Sequence, residues 1–286
     1  MKPSSFDYLA PADLDGALGA LAGHSGEAKL LAGGQSLVPA MNFRLATPSL
    51  LIDLNRIEGL DRVYVDGDEY VIQALVRHRD LEAPVTRDPA AGLLARLSHF
   101  VGHLPIRVRG TFAGSLAHAD PAAEWCMLAL ALDATIVARS VRGPRNIPAA
   151  EFFEGLFTTA LATDEVITEV RLPRLINAGT GFREKSQTAG DFATVATVAA
   201  MTLAGGSIAE VRLALAGAGP APVRAARAES LLVGERATAE ALAAAAHAAA
   251  EDVDPPSDPH CSADYRRHLV EVLSRRVLAD ALEAAS

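Results

Sequence analysis

Short apolar runs broken by glycine, proline and aspartate fill most of the chain, and longer apolar runs appear towards its end. Residues 13–22 predict a short helix, with Asp13 as N-cap and Gly23 as its stop. Residues 29–32 form an apolar run that halts at two glycines, as a buried strand would. A further strand is predicted over 50–54. Strands over 63–65 and 70–74 flank Asp66-Gly67-Asp68-Glu69, a good hairpin turn. Residues 78–83 and 89–101 read as helical. A second glycine-rich stretch, 109–115, precedes a helix expected to open at Asp120-Pro121 and run to Leu132, since proline suits the first helical position. Residues 134–138 and 166–172 read as strands, the latter closed by Pro173.

The pattern changes near 173–180. Strand-like runs over 192–203 and 208–215 join at Gly205-Gly206-Ser207, and helices follow over 225–232, 237–250 and 262–284. Strands followed by helices predict a separate domain. The expected class is α+β, divided into 1–176 and 177–286.

Composition narrows the function. With 286 residues, half of them hydrophobic, the chain can bury the cores of two modest domains. A net charge of −9, with no run of like charges, argues against a nucleic-acid surface, which needs a basic stripe. The opening Met-Lys-Pro-Ser-Ser-Phe-Asp-Tyr lacks the charged-then-apolar pattern of a signal peptide. No uninterrupted apolar stretch reaches transmembrane length, so a cytoplasmic protein without a transmembrane segment is expected. Cys126 and Cys261 stand far apart and read as two reduced thiols. An iron–sulfur cluster typically takes four thiolates, so none is expected on this chain.

The chemistry lies in the glycines. Gly33-Gly34-Gln35-Ser36, between a strand and a helix, lets a ligand approach the backbone and offers free N–H groups as an anion site. Thr111, Gly114 and Ser115 repeat the arrangement further on. Neither stretch is a Walker A or a dinucleotide GxGxxG motif. Two such loops suit the two phosphates of a diphosphate; a tight structural turn is the alternative for either one alone.

The run 31–45, Leu-Ala-Gly-Gly-Gln-Ser-Leu-Val-Pro-Ala-Met-Asn-Phe-Arg-Leu, resembles the first FAD loop of the medium subunits of aerobic carbon monoxide dehydrogenase and the xanthine dehydrogenase group. The run 101–124 resembles the second. Phe152-Phe153-Glu154-Gly155, Asp164-Glu165-Val166-Ile167, Gly190-Asp191-Phe192-Ala193, Pro222-Val223-Arg224 and residues 262–268 extend the likeness over essentially the whole chain. It implies a two-lobed FAD-binding domain of the PCMH type, followed by a small domain of sheet plus helices. It also implies an oxidoreductase role as the flavoprotein subunit of a molybdenum hydroxylase, within a heterohexameric assembly. There, electrons pass from 2Fe-2S clusters on a small subunit through FAD to an external acceptor, and a large subunit carries the molybdenum cofactor.

Carried over by position, Ala32, Gly33, Gly34, Gln35 and Ser36 would hold the diphosphate through backbone amides, completed by Thr111, Gly114, Ser115, Ala117 and Asp120. Val101 and Gly102 would lie beside the isoalloxazine ring. Glu124 would accept hydrogen bonds from ribityl or sugar hydroxyls, or else merely stabilise a helix N-terminus. Ile167 would touch the flavin through main chain and apolar surface, and Lys185 or Arg183 would meet ring or phosphate.

The sequence departs from the family at Ala113 (usually glycine), Trp125-Cys126 (commonly Leu-Pro) and Gln187-Thr188 (often arginine). His99 and His103 would share a helix near His118 and Asp120, but without metal-site framing they read as packed or exposed histidines, and no metal ligand is assigned. Arg266, Arg267, Arg275 and Arg276 would form a solvated or partner-facing helix surface. No catalytic residue acting on an organic substrate is expected, because the flavin carries the redox chemistry. The alternative function is a stand-alone flavin oxidoreductase, against which the lack of an evident base and of a substrate domain weighs.

Overall fold

The computed structural model describes residues 2–24 and 26–285. Its first sheet is parallel: β1 (Asp7–Leu9), β2 (Ala28–Leu31) and β3 (Leu50–Asp53) in the order β1-β3-β2. Helix α1 (Leu14–Gly23) crosses from β1 to β2, with Asp13 accepting from the Gly16 N–H at 2.7 Å as its cap. A short helix, α2 (Leu37–Asn42), follows β2.

The second sheet is antiparallel. It holds β4 (Val63–Asp66), β5 (Glu69–Gln73), β6 (Thr135–Ser140), β7 (Gly143–Pro148) and, beyond a small hairpin of β8 (Phe153–Gly155) and β9 (Thr158–Thr159), β10 (Val166–Pro173). The order β4-β5-β10-β6-β7 returns β10 to the centre, where Val170 and Leu172 are fully buried. Between β5 and β6 lie α3 (Pro89–Ser98), α4 (Leu104–Arg107), α5 (Phe112–His118) and α6 (Glu124–Ala131), and α7 (Ala149–Phe152) follows β7.

The C-terminal sheet runs in chain order through β11 (Gly179–Ser186), β12 (Ala193–Ala204), β13 (Ser207–Ala216) and β14 (Val223–Arg224). Helices α8 (Ala226–Leu232), α9 (Ala239–Glu251) and α10 (Ala263–Ala285) cover one face. The strand period of two divides β12 between two cores. Val195, Ala199 and Met201 meet the helices, whereas Ala196, Val198 and Ala200 join the core shared with the first domain. That sharing explains α6, in which every residue is buried because it packs against β12 and β13 as well as its own domain. Two polar ties reinforce the seam. Arg224 donates to the Leu130 carbonyl at 3.1 Å and to Asp133 at 2.8 Å, and the Gly217 N–H donates to the Pro121 carbonyl at 2.9 Å.

Several local expectations need correction. The helix expected over 89–101 stops at Ser98, so His99 and His103 do not share a helix face; His103 instead precedes α4. The glycine-rich stretch 109–115 already turns into helix α5 at Phe112, capped by Thr111. The next helix begins at Glu124 rather than Asp120. Ala119 adopts a left-handed conformation, and Asp120 accepts from the Ala122 N–H at 2.9 Å, so the carboxylate closes a turn before the helix can open. Residues 78–81 form a 3-10 turn. Strands β7 and β11 had no clear apolar signal, since each carries successive polar or charged residues. Arg266 is buried, donating to the Thr194 and Gly217 carbonyls and to Asp258.

Candidate functional site

The first glycine loop leaves β2 at Leu31 and enters α2 at Leu37. Gly34 has φ +74°, a left-handed conformation that glycine adopts without penalty. Among the described residues, none accepts a hydrogen bond from the N–H groups of Gly34, Gln35 or Ser36. They stand free beside the N-terminus of α2. The exposed Gln35 side-chain amide folds back and donates to the Gly33 carbonyl at 3.2 Å, so the loop is partly self-braced.

The second loop runs through Arg109 and Gly110 into α5. Thr111 Oγ1 accepts from the Gly114 N–H at 3.1 Å, and the Ser115 N–H donates to the Thr111 carbonyl at the same distance. Ala113 lies buried in the first turn of this helix and is not among the residues with positive φ, so its methyl is accommodated where the family usually has glycine. Ala117 is exposed in the following turn.

The two loops touch through bare backbone. A Cβ placed on Gly33 would lie 2.5 Å from the Arg109 carbonyl oxygen and 2.6 Å from the Gly110 Cα. A side-chain relay reinforces this contact: Arg77 donates to the Arg109 carbonyl and to Asn55 Oδ1, and Asn55 Nδ2 donates to the Ala32 carbonyl at 2.9 Å. The backbone around Arg77 is also paired with the second loop, His78 N–H to the Gly110 carbonyl and Phe112 N–H to the Val76 carbonyl, each at 3.0 Å.

Beneath Gly110 sits His78. It is 5 % exposed, and its Nδ1 accepts from Trp125 Nε1 at 2.9 Å. An Nδ1 that accepts requires the neutral ring with its proton on Nε2. Burial, with the Arg77 and Arg107 cations nearby, pulls the His78 pKa down to about 4. Trp125, one of the departures from the family pattern, therefore holds the support of the second loop.

Glu124 opens α6 and is 4 % exposed, and its carboxyl accepts from its own backbone N–H. Burial foremost, then the nearby Glu184 carboxylate, raises its pKa to about 8. Glu184, on β11, is raised to about 7 by burial, and its buried Oε2 has no hydrogen-bond partner. Asp120 is also raised by burial. Three carboxyl groups thus gather between the second loop and the C-terminal sheet, in an environment that disfavours their charge.

The expected ring-side segments also converge. Val101 is buried and Gly102 follows it in a turn held by Arg107 Nη1 on the Gly102 carbonyl at 2.8 Å. Phe100 meets Phe182 of β11 edge-on, with ring centroids 4.9 Å apart. A Cβ on Gly190, in the β11–β12 turn, would stand 2.5 Å from the His103 ring. Ile167 lies 6 % exposed on β10, at a register shift, and α5 packs across that strand.

Strand alternation separates the β11 candidates. Lys185 is exposed and donates to the Ser186 carbonyl at 2.7 Å, and Arg183 is taken by Asp280 of α10 in a two-point ion pair at 2.6 and 2.8 Å. Glu184, between them, turns inward. Sequence reading passed over Glu184, Arg77, Asn55 and His78; only the Arg-His pair following a predicted strand could have hinted at any of them.

Comparison with known proteins accords with this geometry. The family model for the FAD binding domain in molybdopterin dehydrogenase matches residues 4–175, and that for the CO dehydrogenase flavoprotein C-terminal domain matches 180–281. The 6-hydroxypseudooxynicotine dehydrogenase complex subunit alpha of Paenarthrobacter nicotinovorans is 39 % identical over 287 residues, covering 100 % of this chain and 97 % of that one. A carbon monoxide dehydrogenase structure from Hydrogenophaga pseudoflava matches with a TM-score of 0.95 at 34 % identity, covering 100 % of both chains. Quinoline 2-oxidoreductase from Pseudomonas putida 86 matches at 0.94 and 34 % identity, covering 100 % of this chain and 99 % of that one. Two glycine loops in contact and two family models in succession lead to one conclusion: the chain belongs to the FAD-binding medium subunits of the molybdenum hydroxylases.

Proposed function

We propose that this chain is the flavin link of a hydroxylase assembly, with a small iron–sulfur subunit and a large molybdenum-cofactor subunit as its partners. The observation that carries the reading is the backbone contact of the two glycine loops, with free amides beside it. That arrangement fits a diphosphate, because the first loop presents free N–H groups where the second loop, with its Ser115 hydroxyl, lies against it. Glu124 fits as well: a buried carboxyl whose one donor is its own backbone N–H has oxygen lone pairs left for ligand hydroxyls.

In this reading the amides of Ala32, Gly33, Gly34, Gln35 and Ser36 grip the diphosphate, and the second loop completes that grip through the Ser115 hydroxyl, with Thr111 and Gly114 fixing the turn. Ala117 and Asp120 border the same helix, Glu124 orients the polyol, and Val101, Gly102 and Ile167 form an apolar wall that keeps water from the ring. Lys185 borders the site from β11. When bound, the flavin supplies the redox chemistry, receiving electrons from the partner's clusters and yielding them to an external acceptor. The chain's own residues bind, orient and shield. A domain boundary at 176 belongs to the same reading, supported by the matched ranges 4–175 and 180–281. So does a cytoplasmic location: the two cysteines are buried and unpaired, which suits a reducing compartment. Among the described residues no helix is long and apolar enough to cross a membrane.

The test is purification of the full chain with and without its neighbouring subunits. The expected result is a yellow protein holding about one FAD per chain, with substrate oxidation only in the complex. A folded, colourless chain without FAD affinity would overturn the reading, and substrate turnover by the chain alone would favour the stand-alone oxidoreductase.

A further inference from the structure

We infer that Arg77 fixes the spacing of the two glycine loops and, together with Arg109, provides the positive charge that a bound diphosphate meets. The inference rests on the flavin reading above. Arg77 lies between the loops in space though it belongs to neither in sequence. One arm of its guanidinium ends on the Arg109 carbonyl, and the other reaches the Ala32 carbonyl through Asn55. One residue of each loop is thereby tied to the same planar fork. A lysine cannot reproduce that geometry, because its single ammonium lacks a second fixed direction.

The charge is the second strand of the inference. Arg77 spends its guanidinium on neutral oxygens. Among the described residues neither Arg77 nor Arg109 forms an ion pair with a carboxylate. Asp80 accepts from the Arg77 backbone N–H at 2.9 Å, and Asp53 is engaged by Tyr8 and Asn55. Asp53, Asp61 and Asp80 attract Arg77 only through space, and Arg109 repels it. Burial and that repulsion hold Arg77 below the ordinary arginine range. A half-buried cation beside a second cation, next to a row of free amides and attracted by these carboxylates only at a distance, is stabilised further by an anion.

The experiment titrates FAD into the full-length apo chain as wild type, Arg77→Met, Arg77→Lys and Asn55→Ala, following flavin fluorescence, with the melting temperature of each apo chain measured in parallel. Arg77→Met is expected to weaken FAD binding by about tenfold or more, and Arg77→Lys by less, since it keeps the charge and loses the fork. Asn55→Ala is expected to weaken binding while preserving the salt dependence of the wild type; Arg77→Met flattens that dependence. Wild-type FAD affinity in Arg77→Met overturns the inference. So does a lowered apo melting temperature with an unchanged dissociation constant for the folded fraction, which marks a purely structural residue. If wild type takes up no FAD, a parallel titration with ADP separates the two ideas. An Arg77-dependent ADP response retains the clamp without the flavin, and no response to either ligand removes both.

Discussion

Trp125 Nε1 donates to His78 Nδ1 at 2.9 Å, within the core and under Gly110 of the second glycine loop. The pair lies 47 residues apart in sequence and joins the start of α6 to the turn after β5. Trp125→Phe preserves most of the apolar volume and removes the donor. His78 then keeps a buried acceptor without a partner, at a cost of about 1–3 kcal/mol. Denaturant unfolding of the apo chain is expected to show that loss, and unchanged stability would mean that water or a rotated ring replaces the bond.

Acid should weaken the fold through the same histidine. The folded pKa of His78 is about 4 against an ordinary 6.5, lowered by burial first and then by Arg77 and Arg107. Above 6.5 the ring is neutral in both states and its contribution is complete. As pH falls from 6.5 towards 4 the unfolded chain takes up a proton that the folded chain refuses, so stability declines, by on the order of 3 kcal/mol. Melts of wild type against His78→Gln across that interval isolate the effect; parallel pH profiles would refute it.

Glu124 and Glu184 act in the opposite direction. Their folded pKa values, about 8 and about 7, lie above the ordinary 4.5, because burial disfavours the charge and Glu184 further penalises Glu124. Their contribution is complete below 4.5 and is lost as pH rises through those values, since the unfolded carboxyls release protons first. The apo melting temperature of wild type is expected to fall from mildly acidic to mildly alkaline pH, and the double variant Glu124→Gln, Glu184→Gln to fall less. Equal slopes would show that both carboxyls are ionised in the folded chain.

Gly33→Ala tests the contact of the loops. The added methyl would lie 2.5 Å from the Arg109 carbonyl oxygen, so the backbone itself must part. Flavin retained after gel filtration is expected to drop at least about tenfold, given that amide positions set the grip. Gly19→Ala, in α1, meets no atom within 4 Å of the added carbon and serves as the matched control with flavin retained. Retention of flavin by Gly33→Ala would show that the loops can separate without harm.

What could be read from the sequence follows from how local each cause is. Asp13 capping α1 and the glycine pair after β2 depend on backbone needs expressed within a few residues, and both were legible. Arg77 meets Asn55 across 22 residues and Arg109 across 32, and no pattern in either segment announces the encounter. The resemblance points to Lys185 or Arg183 on β11 and says nothing of Glu184, because which of two adjacent strand residues faces inward depends on register. Glu184 pairs with Ala196 across β11 and β12, and a slip of one position would exchange the two side chains. The helix expected at Asp120 failed for a subtler reason: the aspartate satisfies a nearer amide first, and the turn it closes delays the helix to Glu124.

The meeting of Gly33 with Arg109 and Gly110 bears on how this protein can tolerate change. A pocket lined by side chains can trade one residue for another of similar size or polarity and keep its ligand. A seam where main chain lies on main chain offers no such exchange, because every alternative to glycine adds at least one carbon where none fits. Variation in the lining, as at Ala113 and Trp125, can therefore accumulate around a seam that admits almost none. In a catalogue of sequence variants, the harmful ones at this site are expected at positions that contribute no functional group at all.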